Sequence, residues 1–191
     1  MKNQQMIFFF LLLFGCMASG CSKDSPTPAP PAIGKEQYVR DLNNGTSVTG
    51  RPEGNAAPIY FSLQENKVMQ KDDNWDIAFS GLANTQIISN SKANVWMEVL
   101  NSPYDKSHSK PSLPFNQSTS GNVAYGEQGW YIYDVLTHVI SPVKGKTIFV
   151  KTGNNRVFKI MMVSIYQGAP EFPTKEDPVT FLHFKYQELF S

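Results

Sequence analysis

From residue 35 onward the apolar positions recur every second residue, in short runs rich in aromatic and β-branched side chains and divided by Gly, Asn and Pro clusters. A period of two belongs to strands, whose successive side chains face opposite sides, and no stretch carries the 3.6-residue period of a long amphipathic helix. Strands are predicted over residues 58–63, 75–80, 86–89, 95–100 and 130–134. A hairpin is predicted from 146–152 and 156–166, turning through Gly153-Asn154-Asn155. In its second strand Phe158, Ile160, Met162 and Tyr166 belong to the core face, and residues 179–187 alternate in the same way with Leu182, Phe184 and Tyr186 together. The expected fold is all-β: an antiparallel β-sandwich or stacked meander with long loops, occupying residues 35–191 as one domain.

The first residues follow another pattern. Lys2 is a small basic start, residues 7–14 are an unbroken apolar run, and Ala18-Ser19-Gly20-Cys21 offers small residues at a cleavage site. This reads as a lipoprotein signal over 1–20 with Cys21 as the acylated residue, because a cut before Cys16 would place bulky Phe14 in the site. A diacylglycerol thioether and an N-acyl chain on Cys21 would give a stable membrane anchor. Residues 22–34 (SKDSPTPAPPAIG) bury almost nothing and favour an extended, polyproline-like course, so 21–34 is read as lipidated Cys and flexible tether, reaching about 35–40 Å at roughly 3 Å per residue.

Charge narrows the partners. Without Lys2 the 17 Lys and Arg fall level with the 16 Asp and Glu, and no basic stripe marks a nucleic-acid surface. The two cysteines, Cys16 and Cys21, both lie at the leader, so the domain has neither a disulfide nor a thiolate metal site. No apolar stretch approaches the roughly 20 residues that a membrane-spanning helix needs.

Catalytic signatures are missing: there is no GxSxG elbow, HExxH pair or phosphate-cradling glycine loop, which points to a binding protein rather than an enzyme. Residues 72–76 (DDNWD) lack the ligand alternation of a calcium loop and read as a turn entering a strand. His183 alternates with Leu182 and Phe184 and shares a face with Lys185, so it is expected to be exposed. Met161 and Met162 are consecutive and point to opposite faces, while Met69 and Met97 sit near polar stretches that could display a thioether. His108 lies in a long polar loop, 102–121, between Lys106 and Lys110, a setting suited to an anionic ligand with a coordinating metal. His138 follows the aromatic strand at 130–137, where a backbone-bonded edge histidine is the alternative.

NWDIAFSG (74–81), GWYIYD (129–134), Thr137-His138-Val139 and the 145–160 hairpin together resemble the HmuY family of haem-binding surface lipoproteins, over most of the domain. The resemblance implies a haemophore-like protein that captures haem (iron porphyrin) and passes it to an outer-membrane, TonB-dependent receptor. It implies lipid anchoring to the outer membrane, at the cell surface or in the periplasmic leaflet. It also implies an iron held by two axial His or Met side chains on loops. The usual second ligand falls five residues after the strand tryptophan, and here that position is Val135, which has no donor atom. One-sided ligation by His108, a shifted pair of His108 and His138, or loss of haem binding would each fit. Tyr131 and Tyr133, on a strand face with Val135, would flank the porphyrin, and Lys106 and Lys110 would meet its propionates. The alternative is a surface adhesion or structural lipoprotein of the same fold that binds protein or glycan without haem.

Overall fold

Strand pairing in the computed structural model, which describes residues 34–49, 55–112, 123–126 and 128–190, is antiparallel throughout its named strands. The strands are β1 (Gln37–Leu42), β2 (Ile59–Ser62), β3 (Lys67–Met69), β4 (Ile77–Ser80), β5 (Gln86–Ser89) and β6 (Trp96–Leu100). They continue with β7 (Tyr131–Tyr133), β8 (Ile140–Pro142), β9 (Thr147–Lys151), β10 (Val157–Tyr166) and β11 (Val179–Leu189). One sheet has the order β1-β11-β10-β9-β6, a second β3-β2-β4-β5, and β7 and β8 form a separate two-stranded ribbon. The leader, Cys21 and almost all of the tether lie outside the described residues, and no helix within those residues is long and apolar enough to cross a membrane.

The two larger sheets face each other across an aromatic core. Phe184 of β11 meets Phe61 of β2 at a ring-centroid distance of 5.4 Å and Phe79 of β4 at 5.2 Å, and Tyr186 meets Phe61 at 6.3 Å. These tilted and edge-on contacts are the arrangements that ring quadrupoles favour. Phe158, Ile160, Met162, Leu182, Phe184 and Tyr186 all enter this core, as their alternation predicts. Alternation then breaks within β10: the register shifts on either side of Ser164, so that both Ile165 and Tyr166 are buried.

The structure revises several expectations. Met97 is a core residue, whereas Met69 stays half-exposed on β3 opposite Tyr60. His183 is 2% exposed, not displayed. It does occupy the face opposite the core, but β1 covers it. A register shift between Val39 and Leu42, with Asp41 at φ 46°, swings Asp41 over the imidazole, whose Nε2 lies 3.1 Å from Asp41 Oδ1. The same carboxylate accepts the Gly168 N–H at 2.7 Å, tying the edge strand to the connection after β10. The 72–76 segment is a turn into β4. Its last residue, Asp76, is buried and accepts the Leu63 N–H at 2.8 Å and the Gln64 amide at 3.0 Å.

Candidate functional site

The β7–β8 ribbon begins at Trp130, which is buried and donates from Nε1 to Thr85 O at 2.8 Å. Gly129 makes this entry possible: a Cβ there would stand 2.3 Å from Ala124 O, the carbonyl that accepts both the Trp130 and Tyr131 N–H groups. Val143 N–H donates to Trp130 O at 2.8 Å, and Ile140 N–H donates to the buried Tyr166 hydroxyl at 2.9 Å. The ribbon's base is thereby fixed to both sheets while its far end projects. Burial pushes the Tyr166 hydroxyl pKa upward, which keeps it neutral as an acceptor here.

The far end is a turn over residues 134–138. His138 N–H donates to Asp134 O at 2.8 Å, and Asp134 N–H to Val139 O at 2.9 Å. Asp134 Oδ1 accepts the Leu136 and Thr137 N–H groups at 2.8 and 3.1 Å, and these two bonds, Thr137's the larger, hold its carboxyl below the ordinary carboxylate range. His138 takes the left-handed conformation, φ 60°, and its Nδ1 lies 2.6 Å from the Tyr133 hydroxyl. That bond fixes the ring and leaves Nε2 without a hydrogen-bond partner among the described residues. Its neighbours in the turn are exposed and apolar: Val135 is 70% and Leu136 88% exposed. Ile132, also exposed, alternates with Tyr133 on the other face of the ribbon, and exposed Tyr125 packs on Tyr131 at a ring-centroid distance of 5.7 Å.

The expected slot of Tyr131, Tyr133 and Val135 on one face does not form. β7 stops at Tyr133, Val135 belongs to the turn, and Tyr131 packs toward the core with its hydroxyl 3.3 Å from Thr85 Oγ1. His108 lies elsewhere. It follows a short 3-10 turn, Tyr104–Lys106, and lines a cavity of about 490 Å³ with Tyr104, Met161, Lys159 and Lys185, over the outward face of β10 and β11. No residue of the β7–β8 ribbon lines that cavity, so the structure does not bring His108 and His138 together. Lys106 is exposed and outside the cavity lining, and Lys110 is half-buried. Residues 113–122 of the predicted 102–121 loop and its continuation lie outside the described residues.

Sequence reasoning missed Lys159, which is almost wholly buried. Its Nζ donates to Tyr104 O at 2.8 Å and sits 4.3 Å above the Tyr104 ring, and burial lowers its pKa. On its face of β10 it stands between Val157 and Met161, and nothing in that local pattern shows that the 102–108 segment folds over it. Ser107 helps to hold that segment, donating from Oγ to Pro103 O at 2.9 Å.

Two packed antiparallel sheets with a projecting ribbon make this chain an antiparallel β-sandwich, and its fold is similar to that of an HmuY analog. The apo HmuY analog TFO of Tannerella forsythia superposes with a TM-score of 0.51 at 10% identity, covering 83% of this chain and 99% of that one. A candidate HmuY-like heme-binding protein from Bacteroides vulgatus gives 0.48 at 11% identity, covering 80% and 90%. Apo PinO from Porphyromonas gingivitis gives 0.48 at 15%, covering 81% and 97%. No family model and no curated protein matches the sequence.

Proposed function

We propose that this chain is a lipid-anchored iron-porphyrin-binding protein of the outer membrane, a binding module rather than a catalyst, which captures haem at the β7–β8 turn. The observation that carries the reading is His138: an imidazole oriented through Nδ1 by Tyr133, with Nε2 unpartnered among the described residues and the exposed apolar side chains of Val135 and Leu136 in the same turn. A metal-binding histidine characteristically has its other ring nitrogen fixed by a hydrogen bond, which sets tautomer and direction. A porphyrin needs an axial donor and apolar surface for its macrocycle, and Val135 and Leu136, in the same turn as His138, supply that surface. The HmuY-like fold supports the choice of cargo, and the leader and tether, read as 1–20 and 21–34, support export, acylation at Cys21 and delivery to a TonB-dependent receptor.

Val135, at the usual family ligand position, contributes contact and not a bond to iron, so His138 is the donor on this side. His108, with its separate cavity, is not a ligand of the same iron. Titrating the full chain with haemin and following the Soret band tests this assignment. His138→Ala is expected to lose the saturable band or shift it strongly, and His108→Ala to leave it unchanged. The reverse pattern, or an unaltered titration in His138→Ala, would refute the site.

A further inference from the structure

The outward side of the four-stranded sheet carries a groove of about 520 Å³ that the proposed haem site does not use. Its volume falls within the roughly 300–1,000 Å³ of small-molecule sites. Tyr60 of β2 and Trp75 ahead of β4 make an aromatic floor, their centroids 5.1 Å apart and their planes tilted by 48°. The floor is preorganised. Trp75 Nε1 donates to Lys71 O at 3.0 Å, and the Trp75 carbonyl accepts from Asn90 Nδ2 at 3.0 Å. The turn beneath is closed by Asp73, whose Oδ2 accepts the Gln70 N–H at 2.7 Å and whose own N–H donates to Gln70 O at 3.1 Å. A ligand that covers Trp75 therefore orders little that is not already ordered.

The rim is polar and of mixed sign. Lys71, Asp72 and Asp73 come from the turn before β4, and Lys92 comes from the 3-10 turn Ser91–Ala93 after β5. Two ammonium groups against two carboxylates give no preference for an anion or a cation. Together they supply what hydroxyl groups use, since a carboxylate only accepts hydrogen bonds and an ammonium only donates them. A rigid aromatic floor below such a rim matches a ring with an apolar C–H face and a perimeter of hydroxyls. We propose that this groove binds a neutral saccharide, its C–H face stacked on Trp75 and its hydroxyls bonded to Asp72 and Lys92. The site stands independently of the haem reading.

The test uses the full chain and a panel of neutral oligosaccharides (cellohexaose, maltohexaose, xylohexaose and mannohexaose), followed by amide NMR shifts and calorimetry. At least one is expected to bind saturably, with shifts centred on residues 71–75 and 90–93. Trp75→Ala should weaken that binding by about tenfold or more, as loss of a central aromatic contact does. Asp72→Ala and Lys92→Ala, at exposed positions, should each weaken it several-fold with an unchanged circular dichroism spectrum and an unchanged haemin titration. The proposal is overturned if no member of the panel binds, if binding survives both Trp75→Ala and Asp72→Ala, or if haemin occupies this groove instead.

Discussion

His138 sits in the left-handed backbone region, φ 60°, which non-glycine residues enter sparingly and which the surrounding turn enforces through Asp134. Tyr133 then sets the ring, so the side chain that binds and the side chain that aims it are separable by mutation. Tyr133→Phe removes the hydrogen bond and keeps the ring. By analogy with other outer-shell partners of metal ligands it is expected to weaken haemin binding by about tenfold or more without changing the melting temperature, as calorimetry and thermal unfolding would record. A loss of stability instead would mean that Tyr133 serves the fold. Lys159 offers a second residue-level test, because its ammonium is buried against one carbonyl and one ring. Lys159→Met is expected to hold stability within about 1 kcal/mol or raise it, and Lys159→Ala to lower it by about 2–3 kcal/mol, both measured by urea unfolding. His183 shows where single residues were not legible. Alternation placed it on the correct face, but its burial depends on an edge strand some 140 residues away in sequence, whose irregular register leaves no local signal.

At the scale of elements, the ribbon depends on a few points of attachment. Gly129→Ala would drive a methyl group into Ala124 O, 2.3 Å from the ideal Cβ, and is expected to cost about 1–3 kcal/mol. Chemical denaturation would show that loss, and haemin affinity should fall with it. The long central strands β10 and β11 were legible because both faces are constrained: one set of alternate residues fills the core, and neighbouring strands fix the register. β1, β3 and β8 were not. They are short, lie at sheet edges or in the ribbon, and carry few buried residues, so their sequences (QYVRDL, KVM and ISP) lack a clean alternation. Of the candidate site, both histidines and their loops were visible in the sequence. Their separation onto the ribbon and the outer sheet face was not, because it follows from how the 102–108 segment folds onto β10.

At the scale of the whole molecule, the fold rests on an aromatic and aliphatic core between two sheets, and the tyrosines buried in that core and on the outer face of β10 govern its response to alkali. Tyr104, Tyr166 and Tyr186 all have hydroxyl pKa values raised by burial, Tyr186 to about 12. In the unfolded chain each would ionise near 10. A raised folded pKa means that the unfolded state releases protons first, so the stability contribution is complete below pH 10 and is lost as pH rises toward about 12. The melting temperature is therefore expected to fall steeply above about pH 10, with phenolate absorbance from these tyrosines appearing only as the protein unfolds. Early, reversible ionisation of all eight tyrosines in the folded protein would contradict that expectation.

The placement of haem is open to direct observation, because ferric haem broadens nearby amide resonances in NMR spectra of the full chain. Substoichiometric haemin is expected to broaden residues 132–138 together with Tyr125, and to leave residues 104–108 and 159–161 sharp. Broadening centred on the His108 cavity, or spread evenly over the molecule, would contradict that placement.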